Sequence, residues 1–131
     1  MVVFDTSFIV DLFNGRENAK KIALKYGLVG EELKVPSVVV MEIISGAVIH
    51  AKKEGERDDA INFLSGLTIL NFDFDSAVTA GDIEAELTKK GEIIDEVDIM
   101  IGAIVKKNDE VLITKNAKHF ERINGLKIEG Y

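Results

Sequence analysis

The sequence predicts an α/β fold in which a short parallel sheet is flanked by helices, an α/β/α sandwich. Short apolar runs such as Val2-Val3-Phe4 alternate along the chain with longer segments that have helical spacing. The runs are rich in Val, Ile and Leu without polar alternation, which is typical of strands buried on both faces. No repeat or linker divides the 131 residues, so we expect one domain over residues 1–131.

Each element can be assigned from an apolar run and the residues that end it. Asp5 and Pro36 end the first two strands, and glycines end several helices. Thr6 or Ser7 is expected to cap the first helix and Ser37 the third. Strands are predicted over residues 2–4, 33–35, 67–72, 111–113 and 126–128. Helices are predicted over residues 8–13, 17–26, 38–53, 57–64, 76–90, 99–107 and 117–123.

The composition excludes several classes of function. The chain has no cysteine, which rules out disulfides and zinc–thiolate sites. No apolar stretch is long enough to cross a bilayer and no signal peptide is visible, so we expect a cytoplasmic protein without a membrane partner. The net charge of −7 argues against nucleic acid as a ligand and favours a metal site, a basic partner or plain solubility.

Three acidic residues stand in apolar surroundings. Asp5 ends the first strand, where parallel sheets bind ligands, although it could equally cap the next helix. Glu42 interrupts the apolar helix around Val38-Val39-Val40, where a carboxylate is costly to bury unless it is paired, protonated or metal-bound; the alternative is a chance surface position. Asp98 opens a third apolar segment, and it or Asp95 could simply cap that helix.

If the fold gathers these acids, they repel one another. Two unit charges about 4 Å apart interact by roughly 4 kcal/mol at an effective dielectric near 20. A cluster of Asp5, Glu42 and Asp98 therefore favours a divalent cation or a protonated member. Oxygen ligands suit Mg²⁺ or Mn²⁺, and a metal held by carboxylates alone is typical of phosphoryl chemistry.

Four segments together resemble the PIN-domain family in its VapC toxin form. They are Val2-Val3-Phe4-Asp5-Thr6-Ser7, the helix containing Glu42, Asp98-Ile99-Met100-Ile101-Gly102-Ala103, and Leu112-Ile113-Thr114-Lys115-Asn116 with the residues up to Phe120. They follow the family's order and cover essentially the whole chain.

The resemblance implies a metal-dependent endoribonuclease that cleaves single-stranded RNA. Asp5, Glu42 and Asp98 would bind Mg²⁺ or Mn²⁺, and Thr114 and Asn116 would complete the catalytic site. It also implies a homodimer and a small antitoxin protein as partners. Asn116 stands where many members carry Asp, which puts a firmly held second metal in doubt.

Basic residues and histidines near the fourth segment have competing interpretations. Lys115, Lys118 and Arg122 have the spacing of one helical face, which predicts contacts to RNA phosphates or only a solvated face. His119 invites a general-base role, but a lone histidine beside an aromatic residue is more typical of packing or surface. His50 is interpreted as a surface residue.

Other functions stay open at the level of sequence. A phospho-receiver domain needs an acceptor Asp after a middle strand, which the segment around Asp73 fits poorly; phosphate-loop, dinucleotide and serine-elbow motifs are absent. A catalytically weak PIN-fold interaction module, or a PIN nuclease that processes ribosomal RNA, would share the segments above. The apolar helices at residues 8–13 and 38–51 are candidate partner surfaces, or simply core.

Overall fold

Five parallel strands form one sheet in the computed structural model, which describes residues 2–28, 30 and 32–131. The strands are β1 (Val2–Phe4), β2 (Lys34–Pro36), β3 (Thr68–Leu70), β4 (Val111–Thr114) and β5 (Lys127–Gly130). The helices are α1 (Thr6–Phe13), α2 (Glu17–Leu28), α3 (Ser37–Ile49), α4 (Glu56–Ser65), α5 (Phe74–Lys89), α6 (Glu96–Lys107) and α7 (Ala117–Phe120). The predicted α/β class and helix-flanked parallel sheet are confirmed.

The strand order is β3-β2-β1-β4-β5, with every neighbouring pair parallel. Strand β1 lies at the centre, with Val3 opposite Lys34 of β2 and opposite Leu112 of β4. From β1 the chain first builds outward through β2 and β3 and then returns to add β4 on the other side. The order therefore reverses between β1 and β4, and the carboxyl ends of these two strands face one crevice.

The core is built from the central strands and the helices that cover them. All three residues of β1 are buried, and so is the run from Ile101 to Val105 in α6. Phe4 stacks on Phe8 of α1 with ring centroids 4.1 Å apart. Continuous apolar runs in β1 and α6 thus mark the most enclosed parts of the sheet and its helical cover, as the sequence predicts. Among the described helices, none has the length and apolarity that crossing a bilayer requires.

Two predicted caps are wrong. Asp5, rather than Thr6 or Ser7, caps α1, since its Oδ1 accepts the backbone N–H of Phe8 at 3.0 Å. Ser37 makes no cap for α3; its hydroxyl oxygen accepts the backbone N–H of Phe72 at 3.1 Å and ties the start of α3 to the segment after β3. In both places a polar side chain could accept from more than one unpaired backbone N–H group, and tertiary packing determines which of them it accepts from.

Several boundaries also differ from the prediction. Helix α3 ends at Ile49 rather than near residue 53, and α7 stops at Phe120 rather than residue 123. Strand β3 is three residues long because the backbone N–H of Leu67 bonds to Leu64 at the end of α4. Helix α6 begins earlier, at Glu96, because Asp95 caps the N–H of Val97 at 3.0 Å.

Candidate active site

The crevice at the carboxyl ends of β1 and β4 gathers the predicted polar residues. Asp5 directly follows β1, and its backbone N–H bonds to the Ile113 carbonyl of β4. Thr114 is the last residue of β4, and its hydroxyl donates to Asp5 Oδ2. Two residues that are 109 positions apart are thereby joined at the point where strand order reverses, the place where open α/β sheets bind ligands.

Asp5 is a buried carboxylate surrounded by donors. Its exposed fraction is 4%, and Oδ1 accepts hydrogen bonds from the Ser7 hydroxyl at 2.9 Å and the Phe8 N–H at 3.0 Å. Burial nevertheless raises its pKa above 3.8, because the loss of solvent outweighs the bonds from Thr114, Phe8 and Ser7. A desolvated carboxylate of this kind gains most from a nearby cation.

Asn116 extends the same hydrogen-bonded group. Its backbone N–H donates to Thr114 Oγ1 at 2.9 Å, so the hydroxyl that bonds to Asp5 is itself held in place. Asn116 also occupies the N-cap position of α7, but its side chain makes no capping bond and the residue is exposed. The structure therefore brings Thr114 and the Asn116 backbone together with Asp5.

Glu42 reaches this region through the residue next to Asp5. The Thr6 hydroxyl donates to Glu42 Oε1 at 2.5 Å, across 36 positions of sequence. Glu42 is partly buried on α3, whose Val38, Val39 and Ile43 face the core. The rest of α3 is less enclosed than its apolar sequence suggests, since Met41 is 56% exposed.

Asp98 lies in the first turn of α6 and is partly buried. Burial raises its pKa above 3.8, while a contact to His119 lowers it; the charges of Asp95 and Asp5 raise it further. The effect of the Asp5 charge on Asp98 is consistent with the two carboxylates lying at the same end of the sheet. Asp95 caps α6 through the N–H of Val97, so the capping role considered for Asp98 belongs to Asp95.

His119 contacts the site, which the sequence interpretation did not favour. Its Nε2 lies 2.8 Å from Asp98 Oδ2, and both side chains are about one-third exposed. The ring also stands edge-on to Phe120, the contact that suggested simple packing. The sequence signal for this contact is the position of His119 three residues after Asn116, because the short helix α7 brings that position toward α6.

The three acids share one end of the sheet, but each already has its own polar partner. Asp5 binds Thr114 and Ser7, Glu42 binds Thr6, and Asp98 binds His119. In the described parts of the chain, no three His, Asp or Glu side chains lie together as a ready-made metal site. The donor chemistry still fits Mg²⁺ or Mn²⁺, since the side chains offer carboxylate oxygens and two of them are desolvated.

The predicted basic face is not formed. Helix α7 covers only residues 117–120, so Lys115 and Arg122 lie outside it. The Lys115 ammonium instead forms an ion pair with Asp11 of α1, and Arg122 Nη1 donates to the Ile93 carbonyl at 3.3 Å. Lys118 is exposed on α7. Lys115 and Arg122 therefore contact different neighbours, and the three cations do not form one helical stripe.

A family model described as the PIN domain matches residues 2–126. The chain belongs to the PIN-domain family. It is 30% identical over 120 residues to the tRNA(fMet)-specific endonuclease VapC of Salmonella typhimurium, covering 92% of this chain and 91% of the relative. It is 31% identical over 131 residues to the ribonuclease VapC2 of Haemophilus influenzae, covering 98% and 96%.

Solved structures agree with this PIN domain in fold. The VapBC2 complex of Rickettsia felis bound to a promoter DNA fragment gives a TM-score of 0.88 at 27% identity, covering 100% of this chain and 99% of the other. The DNA-bound VapBC complex of Salmonella typhimurium gives 0.82 at 27% identity, covering 98% and 96%. The PIN fold and the resemblance to VapC proteins that the sequence motifs indicate are thus confirmed.

Proposed function

We propose that this PIN domain is a Mg²⁺- or Mn²⁺-dependent endoribonuclease that cleaves single-stranded RNA, and that it is the toxin of a VapBC-type pair. The observation that carries the proposal is the desolvated Asp5 carboxylate at the switch point, bonded to Thr114 and sharing an electrostatic environment with Asp98. The similarity to VapC nucleases over more than nine-tenths of the chain supports the reaction class.

Asp5, Glu42 and Asp98 would hold the metal in this proposal. A bound divalent cation would polarise a phosphate oxygen and lower the pKa of a water molecule. Binding would require Glu42 and Asp98 to share their oxygens with the cation while Thr6 and His119 stay in contact from behind. Residues that hydrogen-bond to a metal-ligating side chain commonly orient it, so the Thr6 and His119 contacts are consistent with a metal site.

Thr114 and Asn116 would complete the site. Thr114 fixes the Asp5 carboxylate through its hydroxyl, and the Asn116 N–H fixes Thr114. The exposed Asn116 side chain can offer an amide oxygen to a metal or its N–H₂ group to a phosphate. Because Asn116 is neutral, the site has three carboxylates rather than four, which favours one firmly held metal.

A partner segment is expected on the neighbouring groove. Val10 and Phe13 of α1 and Gly46 and Ala47 of α3 line a cavity of about 400 Å³ that also reaches Glu42. Val10 and Phe13 are 40% and 43% exposed. We propose that an antitoxin segment covers this groove and limits access to Glu42, in line with the VapBC complexes that resemble this chain.

A second copy of the chain is also part of the proposal. Phe74 and Val78 lie one turn apart on α5 and are 81% and 51% exposed, so α5 presents apolar area to solvent. Light scattering of the purified chain tests the homodimer. A monomeric mass at all concentrations would remove the dimer and leave the nuclease proposal intact.

RNA cleavage with and without divalent metal tests the nuclease. The wild type should cut single-stranded RNA with Mg²⁺ or Mn²⁺, EDTA should stop it, and Asp5→Asn should abolish it. Asp109→Asn is the matched control, since Asp109 is an exposed acid that precedes β4 at the opposite end of the sheet. Equal activity of wild type and Asp5→Asn, or cleavage that survives EDTA, would refute the mechanism.

Metal binding separates the nuclease from a catalytically inert interaction module. Mn²⁺ at about 100 times its Kd should stabilise a protein that binds it only when folded by about 2.7 kcal/mol. Asp98→Asn should remove this gain and Asp109→Asn should keep it. An interaction module would show no cleavage and no gain with Mn²⁺. A PIN nuclease that processes ribosomal RNA would pass both tests and differ only in the RNA that it cuts.

A further inference from the structure

A second cleft lies beside the site, between the α1–α2 corner and the segment that follows β4. Its volume is about 390 Å³, and it is lined by Asp11, Arg16, Glu17, Asn18 and Lys115. Lys115 directly follows Thr114, whose hydroxyl bonds to Asp5. Asp11 lies one turn of α1 after Ser7, whose hydroxyl bonds to Asp5, so the cleft adjoins the candidate active site.

Lys115 is held in this cleft by two neighbours. Its ammonium pairs with Asp11, whose Oδ2 also accepts the Tyr131 hydroxyl at 3.0 Å. The Tyr131 ring lies 5.5 Å from the ammonium and packs edge-on against Phe8, a core residue of α1. A long lysine side chain on a loop is thereby given a fixed position, while half of it stays exposed.

Arg16 is brought to the same place by the turn between α1 and α2. Gly15 adopts a φ of 73°, which lets the chain reverse, and the Arg16 N–H bonds to the Asp11 carbonyl at 2.9 Å. Arg16 is exposed and lines the same cleft as Asp11 and Lys115, and its charge lowers the pKa of Asp11. Two cations thus share this cleft.

The cleft offers two cations to an anion, although the charges of its lining sum to zero. Arg16 and Lys115 are positive and Asp11 and Glu17 negative, and the nearby Lys20 lies 3.7 Å from Glu17. Helix α2 begins at Glu17, so its first backbone N–H groups add a partial positive charge at the same corner. In a chain with a net charge of −7, this cleft is less acidic than the site beside it.

We propose that this cleft is a phosphate subsite, in which Arg16 and Lys115 bind the phosphodiester that flanks the cleaved one in a single-stranded RNA, and Asp11 and Tyr131 position Lys115. The inference rests on the proposed ribonuclease function. It gives an acidic nuclease a local contact for RNA, because two cations beside the carboxylates can bind a strand that the overall charge would repel. It also moves the RNA contact from the predicted α7 face to the α1–α2 corner.

Arg16→Gln and Lys115→Gln test the subsite through the salt dependence of RNA binding and cleavage. Each should raise KM for a short single-stranded RNA about five- to tenfold, with kcat within about twofold, because only uniform binding is removed. Each should also reduce the slope of log affinity against log salt by about 0.7, the value for one phosphate contact on a single strand. Lys127→Gln is the matched control, since Lys127 pairs with Asp109 at 2.8 Å at the amino ends of the strands.

Two readouts keep this inference separate from the nuclease proposal. Fluorescence anisotropy with a labelled single-stranded RNA measures binding in the Asp5→Asn background, where no cleavage is needed. If wild type cuts RNA but Arg16→Gln and Lys115→Gln keep its KM and salt slope, the subsite is refuted and the nuclease stands. A fall in kcat with unchanged KM also refutes it. If nothing is cut but binding still depends on Arg16 and Lys115, the subsite stands and the nuclease fails.

Discussion

The Thr114 hydroxyl donates to the buried Asp5 carboxylate and so joins the ends of the two central strands. This bond opposes the effect of burial on the Asp5 pKa, since it stabilises the charged form. Thr114 is itself fully buried, with an exposed fraction of 0%. Its hydroxyl therefore both favours the ionised form of Asp5 and fixes the orientation of the carboxylate.

Thr114→Val should weaken the fold and the site together. Removing a buried hydrogen bond to a charged acceptor costs about 2 kcal/mol of unfolding free energy, and the pKa of Asp5 should rise further. Urea unfolding measures the first effect, and RNA cleavage should fall with it. Thr68→Val is the control, because the exposed Thr68 hydroxyl donates to Glu32 at 3.3 Å and its loss should cost less than about 0.5 kcal/mol. Equal losses for the two variants would contradict the role given to Thr114.

His119→Gln should weaken metal binding without removing a metal ligand. The ring holds Asp98 Oδ2 at 2.8 Å, and loss of a group that orients a ligand typically lowers metal affinity about 10- to 100-fold. A thermal-shift titration should show that about ten times more Mn²⁺ is needed for half of the stabilisation. His50→Gln is the matched control, since His50 is exposed at the end of α3. The same Mn²⁺ response in both variants would assign His119 to packing alone.

Asp11→Asn should lower stability in a way that depends on pH. The Lys115 contact, followed by the Tyr131 hydroxyl, holds the pKa of Asp11 below 3.8 in the folded chain. The ionised form is therefore favoured by folding, so the stabilisation is complete above about pH 5 and disappears as pH falls through the folded pKa. At neutral pH the variant should be less stable by about 0.5–1 kcal/mol.

Unfolding of wild type and Asp11→Asn by urea at several pH values checks this expectation. The difference between them should shrink steadily as the solution is made more acidic than pH 3.8. In a Lys115→Gln background the same substitution should have a smaller effect, because the main cause of the pKa shift is absent. A difference that stays constant with pH, or that is equally large without Lys115, would contradict the ion pair as its origin.

The central strands β1 and β4 could be predicted because each contains a short apolar run that is buried. Val2-Val3-Phe4 and Leu112-Ile113 have no polar alternation, and the structure buries them at the centre of the sheet. The ends of elements were harder, because they depend on contacts distant in sequence. Ser37 could cap α3 in the sequence, yet it accepts the Phe72 N–H, 35 positions away, and no local pattern encodes that choice.

The acids of the candidate site were found because apolar neighbours made them conspicuous. Asp5, Asp98 and Glu42 stand out in this way, and their contacts put all three at one end of the sheet. Their partners were not predictable from spacing. The Thr6–Glu42 and Asp98–His119 contacts span 36 and 21 positions and exist only because α3, α6 and α7 converge on β1 and β4.

The prediction of a basic helical face was wrong, because it relied on spacing alone. Lys115 and Arg122 have helical spacing, but α7 ends at Phe120, since the Ile123 N–H bonds to the Phe120 carbonyl three residues back and the chain turns there. Spacing describes a face only if one helix contains every member. Lys115 instead shares a cleft with Arg16, which lies 99 positions earlier in the sequence.

A buried ion pair at the other end of the sheet gives a test of the fold that leaves the site untouched. Lys34 Nζ of β2 lies 2.8 Å from Glu110 Oε1, which precedes β4, so the pair bridges the two strands that flank β1. Their side chains are only 10% and 5% exposed. Lys34→Met should cost about 3–5 kcal/mol, because it removes a paired ammonium from a buried carboxylate.

The double variant Lys34→Met with Glu110→Leu should recover most of that loss. Replacing a whole buried pair by apolar side chains of similar volume removes the desolvation penalty of both charges, so its unfolding free energy should lie within about 1 kcal/mol of wild type. Urea unfolding of the wild type, both single variants and the double variant gives the coupling directly. If the two single losses simply add, Lys34 and Glu110 stabilise the sheet independently and the pair is not the unit that matters. RNA cleavage by the double variant should match wild type, since Asp5 and Thr114 lie at the opposite ends of β1 and β4.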